Sequence, residues 1–273
     1  VIEHVSTVTH DLAKAILKRR WAVRCCQILF GLAIIGLWEG LSQGKVVQSF
    51  ALPLPWQVAQ YLGHWFKSGT GISGSIWSNI GATLEVTVIG FVIGMGLGTI
   101  IGILSGTVAV FKYAVNPFLS FFNAIPRLVL IPIFVGWLGF GDEPRIIVVV
   151  LTNVFLVAAV VQGAVEDIQG VIIAHARVLG ASLAQMFRTV YVPGVGIWVI
   201  SLARQCFGHA ITAACVSEFF GAKKGLGFLI SYGQLQFDSR EIYAAVILTA
   251  VIGFLFDILL QQVDRRANRY MVR

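Results

Sequence analysis

Long apolar runs, separated by short polar and mostly basic stretches, dominate this chain of 273 residues. A helix needs about 20 apolar residues to cross the hydrocarbon of a bilayer. Runs of that length fall at roughly 21–41, 79–106, 113–138, 145–165, 193–218 and 241–262. The pattern therefore predicts an all-α membrane protein with about six transmembrane helices. Between the first two runs, "LPLPWQVAQYLGHWF" puts Leu52, Trp56, Ala59, Leu62 and Phe66 on one helical stripe, with Trp56, Tyr61 and Trp65 as aromatic anchors. A short helix lying in the outer interface is expected there, against the alternative of a plain loop.

Composition supports the bilayer as solvent. Hydrophobic residues make up 57% of the chain and charged residues 12%, about half the charge of a soluble domain. The net charge of +7 gathers at the ends of the apolar runs, with Lys14, Lys18, Arg19 and Arg20 before the first and Arg265, Arg266, Arg269 and Arg273 after the last. That placement follows the positive-inside rule rather than a nucleic-acid surface. An even number of spans then puts both termini in the cytoplasm, together with the loop that carries Arg177 and Arg188. The expected organisation is a cytoplasmic segment 1–20, a membrane domain 21–265 with a cytoplasmic loop at about 166–193, and a cytoplasmic tail 266–273. No cleavable signal is expected. Cys25, Cys26, Cys206 and Cys215 form no C-x-x-C pair, so no metal site is expected and the thiols read as small buried hydrophobes.

Three spans carry features beyond hydrophobicity. In the second, Gly90, Gly94, Gly98, Gly102 and Gly106 recur every four residues, with Gly96 beside them. Such a bare stripe lets another helix approach closely, from this chain or from a second copy. The third span contains Pro117, Pro126 and Pro132, so it must bend or break, which is tolerated at membrane depth only beside protein or a watery cavity. A pathway lining and a merely kinked helix both remain open. Arg127 and Arg204 fall near mid-span, where an arginine costs about 2.5–3.5 kcal/mol on insertion scales. With Asn123, Glu85 and Glu218 they are the candidate path residues. Three readings of Arg127 stand: a pair with Glu85, a pathway residue that meets an anionic solute, or a snorkelling side chain. Glu218, fourteen residues beyond Arg204, pairs outside or shapes a gate. His209 reads as a packed polar residue.

The segment "HARVLGASLAQMFRTVYVP" interrupts the oily runs. Ile172, Ala176, Leu179, Leu183, Phe187 and Val190 keep to one stripe, while His175, Ser182, Gln185 and Arg188 fall elsewhere. Gly180 suits the position just past a helix end, and Ser182 with Gln185 matches a capping box that starts a second helix. Pro193 closes the segment. Two short helices meeting at a glycine corner are expected against the inner membrane face.

At this point the chain resembles the permease subunits of bacterial ABC importers, in the branch for nitrate, sulfonates and taurine. That family's loop has the pattern E-A-A-x3-G-x9-I-x-L-P. Ala174, His175 and Ala176 occupy the first three places, Gly180 is the glycine, and Val190, Tyr191, Val192 and Pro193 follow at the family's spacing. The first two letters and the late Ile and Leu are substituted. "ALPLPWQV", "NPFLSFFNAIPRLVLIPIFVGWLGFGDEPRI" and "VSEFFGAKKGLGFLI" are similar to further family segments; in the last, Glu218, Gly221, Ala222, Gly225, Leu226 and Gly227 match. Two departures concern charge: the family more often has a second proline at Arg127, and arginine at Glu85.

The resemblance implies a type I ABC importer permease fold, in the bacterial inner membrane, with a non-catalytic role. Ala174, His175, Ala176, Arg177, Leu179, Gly180, Ala181, Ser182, Val190 and Pro193 would form the coupling loop that seats in an ATPase subunit. Two ATPases, a second permease copy, an external solute-binding protein and the bilayer are the implied partners; nucleic acid is not. No cofactor is implied on this chain. ATP with Mg belongs to the ATPase, and no G-x-x-x-x-G-K-[ST] occurs here. A small anion is the implied cargo, with a pyrimidine vitamin precursor as alternative. A stand-alone secondary transporter would need no coupling loop. An intramembrane enzyme finds no H-E-x-x-H or G-x-S-x-G motif.

Overall fold

The computed structural model describes residues 2–44, 51–168, 175 and 178–271. Among them the chain is helical: α1 (Ile2–Gln43), α2 (Pro55–Ser68), α3 (Ile76–Thr107), α4 (Ala109–Ala124), a 3-10 turn (Arg127–Leu130), α5 (Ile131–Leu138), α6 (Glu143–Ile168), α7 (Leu183–Met186), a π-helical turn (Phe187–Tyr191), α8 (Val192–Ser217), α9 (Leu226–Leu235) and α10 (Ser239–Met271). Five stretches are long and apolar enough to cross a membrane: Trp21–Gln43, Ile76–Thr107, Glu143–Ile168, Phe187–Ser217 and Ser239–Arg266. A sixth exists if α4 and the following segment to Leu138 count as one span bent by 89°.

Two compact units divide the chain, Val1–Tyr61 and Leu62–Arg273. In the first, α1 is one unbroken helix that includes the segment read above as cytoplasmic. Trp38 Nε1 donates to the Pro53 carbonyl at 2.9 Å and Ser42 Oγ to the Leu52 carbonyl at 2.9 Å, tying the end of α1 to the chain before α2. Cys25 and Cys26 lie exposed on α1, whereas Cys206 and Cys215 are buried as expected. α2 forms where a short helix is expected, yet it buries Val58 and Trp65 and leaves Trp56 and Phe66 outward. Both faces carry large apolar groups, so hydrophobic periodicity alone does not choose between them.

In the second unit α3 lies along α6. The glycine stripe decides how closely. A Cβ at Gly90, Gly94, Gly102 or Gly106 would stand 2.5–2.8 Å from the Cβ of Val149, Asn153, Val161 or Val165, and one at Gly98 would stand 2.7 Å from that of Val157. Every fourth residue of α6 thus fills the groove left by every fourth residue of α3. The partner of the stripe is therefore within this chain. Gly96, off the stripe, faces open space. α8 packs on α6 and α3, and α10 on α8. Phe207 links these layers, stacking on Phe256 at 4.4 Å and meeting Phe91 edge-on at 5.6 Å.

Of the three prolines in the third apolar run, one breaks the helix. Pro117 sits inside α4, and Pro132 lies in the first turn of α5, where a missing N–H costs nothing. Pro126 forces Ile125 out of the helical region, to φ −76° and ψ 130°, and the chain turns there.

Candidate functional site

Three groups of polar side chains stand out against this apolar frame. The first is at the break. Arg127 begins the 3-10 turn and reaches back, its Nη2 donating to Asn123 Oδ1 at 2.5 Å and its Nη1 to the Thr152 carbonyl of α6 at 3.2 Å. Its Nε is buried without a partner. A cavity of about 380 Å³ opens here between the break, α6 and α8, bounded by Asn123, Arg127, Thr152, His209 and Thr212. Thr152 lies nine residues into α6, about 13 Å along a helix that rises 1.5 Å per residue. The cavity is therefore at membrane depth. Asn123 and Arg127, both expected along a path, meet in it; Arg204, Glu218 and Glu85 do not line it.

Arg204 has another role. Its Nε and Nη2 donate to the two carboxylate oxygens of Asp257 on α10, at 2.9 and 3.0 Å, and one turn earlier Ser201 Oγ donates to Asp264 at 3.0 Å. The arginine expected along a path is instead clamped between α8 and α10. Asp257 escaped the sequence reading, although a lone carboxylate inside an apolar run calls for a partner. Glu85 is exposed on α3, and the hydrogen bonds of Arg127 go to neutral groups, so the expected Glu85–Arg127 pair is replaced by Asn123 and Thr152. Glu85 lies too far round the helix from the glycine face, which is the face that meets α6.

The second group clamps the start of α9. Asn79 Oδ1 accepts from the Gly225 N–H at 3.0 Å, Thr83 Oγ from the Leu226 N–H at 2.8 Å, and Glu218 Oε2 from the Gly227 N–H at 2.7 Å. All three side chains are buried. Glu218 is thus a structural cap within the chain rather than a group pairing outside it. Asn79 and Thr83, four apart in an apolar run, are the signal the sequence reading passed over. Nearby, Arg145 donates to Asp142 at 2.8 Å, and Arg240 holds the Asp238 carboxyl below its ordinary range by a direct hydrogen bond.

The third group is at the opposite end of the bundle, between α6 and α8. Ala174, Ala176 and Arg177 lie outside the described residues. Gly180 has φ +76°, as a residue just past a helix end requires. Ser182 and Gln185 form the reciprocal cap: the Ser182 N–H donates to Gln185 Oε1 at 2.8 Å and the Gln185 N–H to Ser182 Oγ at 3.3 Å. The corner leaves Val178 and Leu179 at 87% and 84% exposed, two adjacent apolar side chains with nothing of this chain over them. Ala181 is half-buried and His175 exposed.

The expected apolar stripe shifts past the corner. Met186, Tyr191 and Val195 are buried, whereas Phe187 is exposed and Val190 half-buried. The cause is the π-helical turn, in which the Val192 N–H bonds to the Phe187 carbonyl. One extra residue in that turn rotates the register, just before Pro193, which has no N–H to give.

Residues 94–269 match the family model of the binding-protein-dependent transport system inner membrane component. The chain belongs to this family. It is an ABC transporter permease, a non-catalytic multi-pass subunit of the inner membrane. A probable ABC transporter permease protein of Brucella abortus (strain 2308) is 32% identical over 204 residues, 74% of this chain and 81% of that protein. The putative aliphatic sulfonates transport permease protein SsuC of Bacillus subtilis (strain 168) is 25% identical over 89% of this chain and 86% of its own. The taurine transport system permease protein TauC of Escherichia coli (strain K12) is 24% identical over 85% of each chain. The permease of the MetNI methionine ABC transporter, in an inward-facing conformation, shares the fold with a TM-score of 0.58 at 19% identity, covering 78% of this chain and 96% of that one. As an importer component, this permease works with ATPase and binding-protein partners.

Proposed function

We propose that the permease forms, with a second copy of itself, the translocation path for a small anion such as a sulfonate, taurine or nitrate, and that residues 174–193 couple this path to two ATPase subunits. The observation that carries the cargo class is similarity to permeases named for aliphatic sulfonates and taurine over 89% and 85% of the chain. The loop geometry supports the coupling role. A left-handed glycine and a reciprocal cap make a stiff corner that presents Val178 and Leu179 to a partner. A stiff, apolar contact transmits a rigid-body movement, where a flexible loop would absorb it. Both termini are cytoplasmic in this reading.

ATP hydrolysis by the complete complex in liposomes, with its binding protein, tests the cargo. Taurine, ethanesulfonate and nitrate form one arm of the panel, and a formylaminopyrimidine the other. Stimulation by one anion is expected; stimulation by the pyrimidine alone would overturn the anionic assignment. Gly180→Glu, which forces a side chain into the left-handed region, is expected to reduce co-purification of the ATPase. Undiminished co-purification and transport in that variant would remove the coupling assignment.

A further inference from the structure

The two intramembrane arginines of this chain are treated differently. Arg204 is matched by both oxygens of Asp257. Arg127 is not matched. Its two hydrogen-bond partners are an amide oxygen and a carbonyl, its Nε–H is buried and unused, and no carboxylate lies in the cavity lining among the described residues. A cation at membrane depth is costly, and an arginine held there by neutral groups keeps its whole charge for whatever enters beside it.

What enters is set by the surrounding groups. Asn123 Oδ1 accepts from the guanidinium, which turns the Asn123 Nδ2 donors away from Arg127. Thr212 Oγ donates to the Gly208 carbonyl at 2.9 Å, and His209 stands beside it. The break at Ile125 and Pro126 exposes non-helical backbone, which at this depth needs either protein or water over it. At about 380 Å³ the cavity is at the small end of ligand sites, which run from about 300 to 1,000 Å³. A planar guanidinium with free N–H groups suits an oxyanion, whose oxygens it can take two at a time.

We propose that the cavity at the break between α4 and the 3-10 turn is an anion-selecting subsite, with Arg127 as its selecting residue and a sulfonate, carboxylate or similar small oxyanion as its ligand. As a step of transport this rests on the anionic cargo proposed above, but the charge preference of the cavity can be measured without knowing the cargo. The subsite is weak by construction. One charge with neutral support favours entry of an anion without holding it, as a path requires.

The test places a thiol in the cavity of the complete complex with Thr212→Cys, after removing the exposed thiols with Cys25→Ser and Cys26→Ser. Modification by anionic sulfonatoethyl methanethiosulfonate is compared with modification by the cationic trimethylammonioethyl reagent, each relative to its rate on glutathione. The readout is mass spectrometry of the peptide carrying residue 212, in the nucleotide-free and the ATP-vanadate-trapped states. The anionic reagent is expected to be favoured by about tenfold, the effect of one unscreened charge nearby. Arg127→Gln is expected to abolish that preference and Arg127→Lys to keep most of it, with assembly of each complex checked by gel filtration. A ratio that Arg127→Gln leaves unchanged, or a thiol unreactive in both states, overturns the proposal. A complex that prefers the anionic reagent yet is stimulated only by the pyrimidine would leave the subsite standing and remove the anionic cargo.

Discussion

Arg204 and Arg127 carry the same charge in helices of similar composition, and only their neighbours separate a clamp from a free cation. Asp257 satisfies Arg204 through both its oxygens, so the pair joins α8 to α10 as a unit. Removing one partner leaves the other charge unpaired in an apolar setting, which is worse than removing both. Arg204→Gln and Asp257→Asn are therefore each expected to lower the thermal midpoint of the purified permease–ATPase complex, with the double variant losing less than the sum. Strictly additive losses would show that the two residues do not act together.

At the scale of elements, the contact of α3 with α6 and the anchoring of α9 are the features with measurable cost. The α3 groove has no room for a side chain, since the facing Val157 Cβ and Val154 carbonyl both stand 2.7 Å from where a Cβ on Gly98 would be. Gly98→Val is expected to destabilise the bundle by about 1–3 kcal/mol or more, read as a fall in the same thermal midpoint. Gly96→Val, which meets nothing within 4 Å, is the control and should leave it unmoved. At the start of α9, Asn79→Ala or Thr83→Ala leaves a buried N–H unpaired, at about 1–3 kcal/mol each. The amides of Gly225 and Leu226 should then exchange with deuterium several-fold faster or more. Unchanged exchange would mean that another group takes over the cap.

The whole molecule turns on whether the bent pair crosses the membrane. Five helices are long enough alone, and only the α4-to-Leu138 segment makes a sixth. Five crossings would put the termini on opposite sides, and six would put them on one. The basic residues at both ends favour six, with both termini cytoplasmic. Reporter fusions at each terminus and in the 139–142 loop are expected to place the termini inside and that loop outside. A loop reporter active on the inside would make the bent pair a re-entrant hairpin. The cavity beside Arg127 would then open toward a single face.

The sequence by itself determined the helices, the membrane, the family and the local signals: Gly180, the Ser182–Gln185 cap and the glycine stripe all appear as short patterns whose chemistry acts within one or two turns. These are legible because hydrophobic length and capping depend on residues close in the chain. It did not determine which helix fills the glycine groove, which proline breaks the third run, or which arginine is neutralised. Those depend on residues such as Asp257, Asn79 and Thr152, far away in sequence from the groups they meet. Nor did the stripe in the coupling loop survive, since one π-helical turn rotates everything after it. Only the tertiary structure decided these points, because a partner's identity and a helix's rotation are set by packing across the bundle and not by the period of one segment.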